Sequence, residues 1–289
     1  MAAPKISIII PAHNEAQAIS QVIREVRQTL RQTRKSFEIL VIDDASTDQT
    51  AKIARKEKVK LFSHLFRRGS GAARKTGLKQ AQGEIVVMLD ADGSYDPQTI
   101  LKMLKLFPKY DQVNGKRDQE KGSHPLLRQI AKWFIQTLAS YLTKTKIPDL
   151  NTGLKAFKRK PMLQFLWVIP DGFSCVSTMT LAFLTNGYNV TWVPTKYRKR
   201  IGESKFHPLN DTLSYLTTVL RIIMYFNPLR IFIPLAIITF STGVLTASYN
   251  FTNYHTIQES DIIIFVAAIF IFSLGLLADL IVVQNKREK

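Results

Sequence analysis

One cysteine, Cys175, is all that this chain of 289 residues carries, so an internal disulfide and a cysteine-rich zinc site are both excluded. Acidic residues are scarce as well: 22 Asp and Glu stand against 40 Lys and Arg, a formal charge of +18. An imbalance of that size calls for an anionic partner, with nucleic acid and an acidic lipid surface as the two general candidates. The start, Met-Ala-Ala-Pro-Lys, passes into a strand-like run with no signal-peptide pattern ahead of it, which leads us to expect the N-terminal part in the cytoplasm. A complete P-loop is missing too. The stretch Arg67-Arg68-Gly69-Ser70-Gly71 offers backbone freedom and positive charge near a predicted helix start, both useful to an anion, but its spacing argues against an ATP-hydrolysing site.

Apolar residues make up 46 % of the chain, enough for the core of one good-sized α/β domain and a small appendage. Two runs, Leu229 to Ala247 and Ile262 to Val283, are each close to the ~20 residues that a helix needs to cross a hydrocarbon layer, with no Lys or Arg after Arg230. The alternative is a buried helix pair in a soluble protein. Lys196, Arg198, Lys199, Arg200, Lys205, Arg221 and Arg230 precede the first run, and Lys286, Arg287 and Lys289 follow the second. The loop Ser248 to Asp261 has neither Lys nor Arg, so both termini are expected in the cytoplasm and the loop outside. Asp279 then lies close to the interface or faces the neighbouring helix.

The first hundred residues alternate between strand and helix patterns. Ile6 to Pro11, Phe37 to Ile42, Val59 to Leu65 and Glu84 to Leu89 read as strands. Helices are expected from about Ala16 to Arg34, from a cap at Ser46, Thr47 or Asp48 to about Lys56, and from Gly71 to Gln80. This is the pattern of a parallel sheet covered on both faces, and such sheets hold ligands beyond the carboxyl ends of their strands. Pro11, His13, Asn14, Glu15, Asp43, Asp44, Asp90 and Asp92 all fall at such ends. Asp90 and Asp92 close the run Glu-Ile-Val-Val-Met-Leu, and two carboxylates one residue apart suit a shared Mg2+ or Mn2+ carrying phosphates. Asp-X-Asp also occurs in ordinary solvated turns, and Ser94 either orients a metal-bound water or belongs to the turn.

The ordered motifs resemble the family 2 glycosyltransferases, in the branch that moves a sugar from a nucleotide to a polyprenyl phosphate, as dolichyl-phosphate mannose synthases do. They are Ile8 to Glu15 (IIIPAHNE), Ile39 to Asp48 (ILVIDDASTD), Gly69 to Leu78 (GSGAARKTGL), Met88 to Asp92 (MLDAD), Asp149 to Arg159 (DLNTGLKAFKR) and Arg200 to Phe206 (RIGESKF). The resemblance implies a nucleotide-diphospho-sugar transferase fold, α/β with an open, mostly parallel sheet, plus a C-terminal two-helix membrane hairpin. It divides the chain into a cytoplasmic domain (1–208), a juxtamembrane amphipathic helix (209–228), a first span (229–247), an extracytoplasmic loop (248–261), a second span (262–283) and a tail (284–289). By the same resemblance Pro11, Asn14, Glu15 and Asp43 or Asp44 surround the nucleoside, and Asp90 and Asp92 hold Mg2+ or Mn2+ on the donor diphosphate, with Asp90 also near ribose. Helix capping and turn formation are the competing role for Asp43 and Asp44. Arg117, in Gly115-Lys116-Arg117, matches a basic position that implies acceptor-phosphate binding; Arg200 and Lys205 match a segment that closes over phosphate.

The implied reaction is metal-dependent, inverting transfer of a hexose from a nucleotide-diphosphate sugar to a polyprenyl phosphate, dolichyl or undecaprenyl, at the bilayer. Many relatives that act on hydroxyls place an acid where Ser177, Thr178 and Thr180 stand here, with Asp171 the nearest acid. That departure disfavours a hydroxyl acceptor, since a phosphate monoester is already ionised. Leu127, Ile130, Phe134, Leu138 and Tyr141 recur at helical spacing opposite Arg128, Lys132 and Gln136, a stripe for the lipid interface or for docking on the core. Transfer to a lipid-linked or polysaccharide hydroxyl, and a noncatalytic basic membrane-binding role, are the alternatives. Acids clustered at strand ends in so basic a chain fit the last of these poorly, and no nucleic-acid partner is expected. Two spans do not form a closed conduit, and a homo-oligomer stays open.

Overall fold

The computed structural model describes residues 4–118, 136–141, 143–172, 174–201, 224, 225 and 227–287. They form two compact units, Met1–Val219 and Leu220–Lys289. The first is built on a 7-stranded sheet: β1 (Ile6–Ala12), β2 (Phe37–Asp43), β3 (Lys60–Ser63), β4 (Ile85–Met88), β5 (Gln112–Arg117), β6 (Lys155–Lys158) and β7 (Val190–Thr195), in the order β3-β2-β1-β4-β6-β5-β7. β6 alone runs against its neighbours. The helices are α1 (Ile19–Arg31), α2 (Thr50–Lys56), α3 (Ser70–Gln80), α4 (Thr99–Leu104), α5 (Arg159–Leu163) and α6 (Cys175–Thr185).

β1 is central because it is apolar on both sides: Ile6, Ile8, Ile9 and Ile10 are fully buried, each worth about 1.5–3 kcal/mol on leaving water. Such strands read as unbroken apolar runs when both sheet faces are covered. α1 buries Ile19, Val22, Ile23, Val26 and Leu30, one stripe at helical spacing, against the sheet. The expected strands and helices of the first hundred residues are all found; β1, β2 and α3 run one residue longer than expected, and β3, β4, α1 and α2 are shorter.

The three later strands had no such signal. β5 and β6 bury Gln112, Asn114 and Lys155. Gln112 Nε2 donates to Asn114 Oδ1 (2.8 Å) and Thr180 Oγ1 (3.0 Å), and Lys155 Nζ donates to Thr180 Oγ1 (2.6 Å) and Asn114 Oδ1 (3.2 Å). These polar side chains bond one another, which offsets part of the cost of burying them, while Gln112 Oε1 and Asn114 Nδ2 are buried without a partner. Of the expected stripe from Leu127 to Leu142, residues 136–141 are helical and the rest lies outside the described residues.

The second unit is a helical hairpin, α7 (Leu229–Tyr254) and α8 (Glu259–Arg287). In the most apolar window of each helix only 11% and 17% of residues are buried, which leaves apolar surface for lipid where the core helix of a soluble protein would be mostly covered. The helices pack on each other through Phe240 and Phe265, whose rings meet edge to face at 5.3 Å. Both helices run past the apolar stretches, because Ser248 to Tyr254 contains no helix breaker and continues α7. His255, in the left-handed region at φ 54, ends it. Asn250 Nδ2 donates to both carboxylate oxygens of Asp261 (3.1 and 3.0 Å), which also accepts the Gln258 amide at the start of α8 (3.0 Å). The expected helix at 209–228 lies almost wholly outside the described residues.

Candidate functional site

The carboxyl ends of β1, β2 and β4 converge, and their loops are stitched together by side chains on the backbone. Asn14, in the left-handed region at φ 54, accepts the Thr47 amide on Oδ1 (2.8 Å), and its own amide donates to Ser46 Oγ (3.0 Å). The Glu15 amide donates to Thr50 Oγ1 (2.8 Å) and the Ala16 amide to Asp48 Oδ2 (3.1 Å). Asp48 also accepts the Thr50 amide (2.9 Å), a turn leading into α2, whose N-cap is Gln49 and not one of the expected Ser46, Thr47 or Asp48. Pro11 is buried at the end of β1, where it pairs in register with Ile42.

Asp43 and Asp44 are both buried but are used differently. Asp44 accepts the amides of Arg68 (2.9 Å) and Gly69 (2.7 Å) and meets His64 Nδ1 at 2.7 Å. Burial by itself raises its pKa, but these three partners outweigh burial and hold the carboxyl below its usual range. Asp44 therefore serves as a clamp on the loop between β3 and α3. Asp43 accepts the Ser46 amide at 3.3 Å on Oδ1. Two of the amides that open α3 are committed as well: those of Gly71 and Ala72 donate to the Asp171 carbonyl (2.8 and 3.2 Å), so these two donors of the expected anion-binding helix start are engaged within the protein. A Cβ at Gly71 would overlap the backbone of Pro170 and Asp171, which is why this approach requires glycine.

Beyond β4 the two aspartates each face an arginine. Asp90 Oδ1 meets Arg74 Nη2 at 2.5 Å; Arg74 is buried, whereas the Asp90 side chain is 37% exposed. Burial disfavours the Arg74 charge, but the Asp90 carboxylate more than compensates and raises its pKa. Asp92, with a side chain only 5% exposed, accepts Ser94 Oγ (2.6 Å) and the Ser94 amide (3.0 Å) on Oδ1 and Arg200 Nη2 (2.7 Å) on Oδ2. Ser94 thus fixes the Asp92 rotamer. Arg200 is brought there by backbone pairing: the Arg198 amide donates to Ser94 O (2.8 Å), the Ile201 amide to Asp92 O (3.0 Å), and Tyr95 bridges Tyr197. Nε of Arg74 and Nε of Arg200 are buried without a hydrogen-bond partner. Lys205 lies outside the described residues.

Because β6 is reversed, its leading loop arrives at the same end of the sheet. The Gly153 amide donates to the buried Tyr95 hydroxyl (2.7 Å), and a Cβ at Gly153 would overlap the Asp90 carboxylate. Arg117, at the end of β5, is held by Asp149 through Nε (2.8 Å) and Nη2 (2.9 Å), and its guanidinium lies 5.6 Å from the Tyr197 ring centre. Burial raises the Asp149 pKa and this two-pronged pairing more than reverses it. On α6, Ser177 Oγ donates to Asn151 Oδ1 (2.6 Å), Thr178 Oγ1 to the Ser174 carbonyl (3.0 Å), and Thr180 receives Lys155; Asp171 pairs with Lys75 at 2.5 Å. Glu38, Arg74, Asp149 and Lys155 are buried charged residues of this unit that motif reading did not single out.

Among the described residues no group of three or more His, Cys, Asp or Glu is placed to hold a metal ion. Two carboxylates at one strand end nevertheless provide hard oxygen donors. That set fits a Mg2+-like cation, which takes one or two carboxylates and fills its shell from phosphates and water.

Comparison with known proteins bears on the family and the fold. The glycosyl transferase family 2 profile matches residues 7–165, more than half of the chain, and the GtrB C-terminal hairpin profile matches 227–283. A dolichyl-phosphate hexose transferase of Haloferax volcanii is 30% identical over 206 residues, covering 70% of this chain and 87% of its own. Glycosyltransferase AglJ of the same organism is 27% identical over 98% of this chain and 95% of its own. An undecaprenyl-phosphate 4-deoxy-4-formamido-L-arabinose transferase of Pseudomonas fluorescens is 28% identical over 84% and 71%. Among solved structures, glucosyl-3-phosphoglycerate synthase of Mycobacterium tuberculosis, in complex with Mn2+, UDP-glucose and phosphoglyceric acid, superposes with a TM-score of 0.60 at 17% identity over 76% of this chain and 79% of that one. The chain therefore belongs to glycosyl transferase family 2 and is related to the polyprenyl-phosphate sugar transferases.

Proposed function

We propose that this protein transfers a hexose, with inversion, from a nucleotide-diphosphate sugar to a polyprenyl phosphate at the cytoplasmic face of a membrane. The observation that carries the reading is the Asp90 and Asp92 pair, each facing an arginine at one strand end, in a chain that closes with a lipid-exposed hairpin. The names of its relatives, which act on dolichyl and undecaprenyl phosphates, and the Mn2+ and UDP-glucose of the similar solved structure support it.

Asp43, on the carboxyl end of β2 beside the stitched loops, is the group we assign to the nucleoside, with Pro11, Asn14 and Glu15 shaping the wall. Asp90 and Asp92 are the groups that would hold Mg2+ or Mn2+, which when bound neutralises charge on the departing diphosphate. Arg200, released from Asp92, is placed to donate to a phosphate oxygen. Arg117, oriented by Asp149, is assigned to the acceptor phosphate. A phosphate monoester with a second pKa of about 6 attacks without a strong base, which suits an α6 whose hydroxyls are engaged with protein acceptors. Chain alignment of attacking oxygen and leaving group then supplies the catalysis.

Full-length protein in membranes, given a panel of nucleotide sugars, Mg2+ or Mn2+, and either polyprenyl phosphate or polyprenol, should yield one labelled glycolipid with the phosphate only. Product with the alcohol alone would reverse the acceptor assignment. Gly153→Ala should lower turnover about a hundred-fold, the scale of an ångström-sized misplacement, because its methyl displaces Asp90. Its thermal unfolding midpoint, read alongside, shows whether the Arg74 pair is lost with the displacement, and unchanged turnover would remove Asp90 from the site.

A further inference from the structure

The loop between β3 and α3 carries an apolar tip that none of the assigned roles uses. Leu65 is 98% exposed and Phe66 69% exposed, and Arg67 and Arg68, also exposed, follow directly. A lone exposed leucine needs no explanation, but two adjacent large side chains standing in water on a fixed loop do. The loop is fixed at both ends. His64, just before the tip, is held between Asp44 (2.7 Å) and Thr76 Oγ1 (3.0 Å). Just after it, the Arg68 and Gly69 amides are tied to Asp44. The tip therefore cannot fold back to cover Leu65 and Phe66 without giving up these bonds.

We propose that this tip is an interfacial anchor, with Leu65 and Phe66 entering the acyl boundary of an anionic bilayer while Arg67 and Arg68 pair with lipid phosphates. Apolar side chains next to arginines are the composition that seats at a lipid interface. The +18 charge of the chain gives the attraction its sign. The hairpin α7–α8 keeps a bilayer permanently at hand, so even a weak contact is favoured by the high effective concentration of a tethered site. This is a contact separate from the hairpin, made by the unit that holds the strand-end carboxylates, and it does not depend on which sugar or acceptor is used.

The test places a nitroxide at Phe66→Cys in the full-length chain, in nanodiscs of phosphatidylcholine with or without phosphatidylglycerol. Cys175 is buried, and wild-type protein treated identically provides the blank. Ser63→Cys, at an exposed position on β3, is the aqueous control. Collision rates with oxygen and with a water-soluble nickel chelate report depth. The label at 66 should be several-fold more protected from nickel than the label at 63 in anionic discs, with the protection reduced by high salt or by omitting phosphatidylglycerol. Equal nickel access at both positions would overturn the proposal. So would protection at 66 that appears only with added nucleotide sugar and not with lipid, because the tip would then cover the donor instead.

Discussion

Asp92→Asn is expected to cut turnover by a hundred- to a thousand-fold, about 2.7–4 kcal/mol of transition-state stabilisation, the scale seen when one preorganised electrostatic group is removed. The amide keeps an oxygen for Ser94 but loses the charge that faces Arg200, so folding is retained while affinity for cation and diphosphate falls. Asp92 is a cleaner probe than Asp90. Removing the Asp90 charge leaves the buried Arg74 guanidinium without its carboxylate, so a loss of rate there would be mixed with a loss of stability. Initial rates across a Mg2+ or Mn2+ titration, alongside a thermal unfolding midpoint, give the answer. Wild-type rates from a folded Asp92→Asn protein would take Asp92 out of the reaction.

A second large effect concerns stability and pH. Lys155 is fully buried, and burial pulls its pKa down from 10.5 to about 7, against the opposing pull of Asp149. Between those two values the unfolded chain binds the proton and the folded chain does not, so folding should strengthen as pH rises through that window; below pH 7 both states are protonated and the slope vanishes. From pH 7 to pH 9 the gain is roughly 2 kcal/mol for this one group. Lys155→Met, of similar length and without charge, should abolish that gain. The check is the difference between wild-type and variant unfolding midpoints at successive pH values. Parallel curves would show that Lys155 stays charged inside the fold.

Much of the first unit was legible because its parallel strands are plain apolar runs ending in acids: Ile6 to Ala12, Phe37 to Asp43 and Ile85 to Met88 announce both the sheet and the edge where ligands gather. The second half of the sheet was not, since Gln112, Asn114 and Lys155 look like surface residues until their mutual bonds are seen. Pairing across the chain was invisible for the same reason: Arg200 reaches Asp92 from a position 108 residues away. Arg74 had a faint signal, as a long charged side chain next to Lys75 on the part of α3 where Gly71, Ala72, Ala73 and Gly77 are all buried. The competing roles of the neighbouring acids Asp43 and Asp44 could be separated only by their partners, which commit Asp44 to a loop.

The hairpin's polar lock also sets a depth gauge. From Leu229 to Ala247 a helix rises about 29 Å, nearly the thickness of the hydrocarbon layer, and the Asn250–Asp261 pair comes just beyond that span. Sliding the protein inward by one helical turn would drag a carboxylate towards oil, against a cost that reaches about 2.5–3.5 kcal/mol at the centre of the layer on insertion scales. Asp261 is thus expected to act as a collar that keeps the turn at 255–258 among the headgroups.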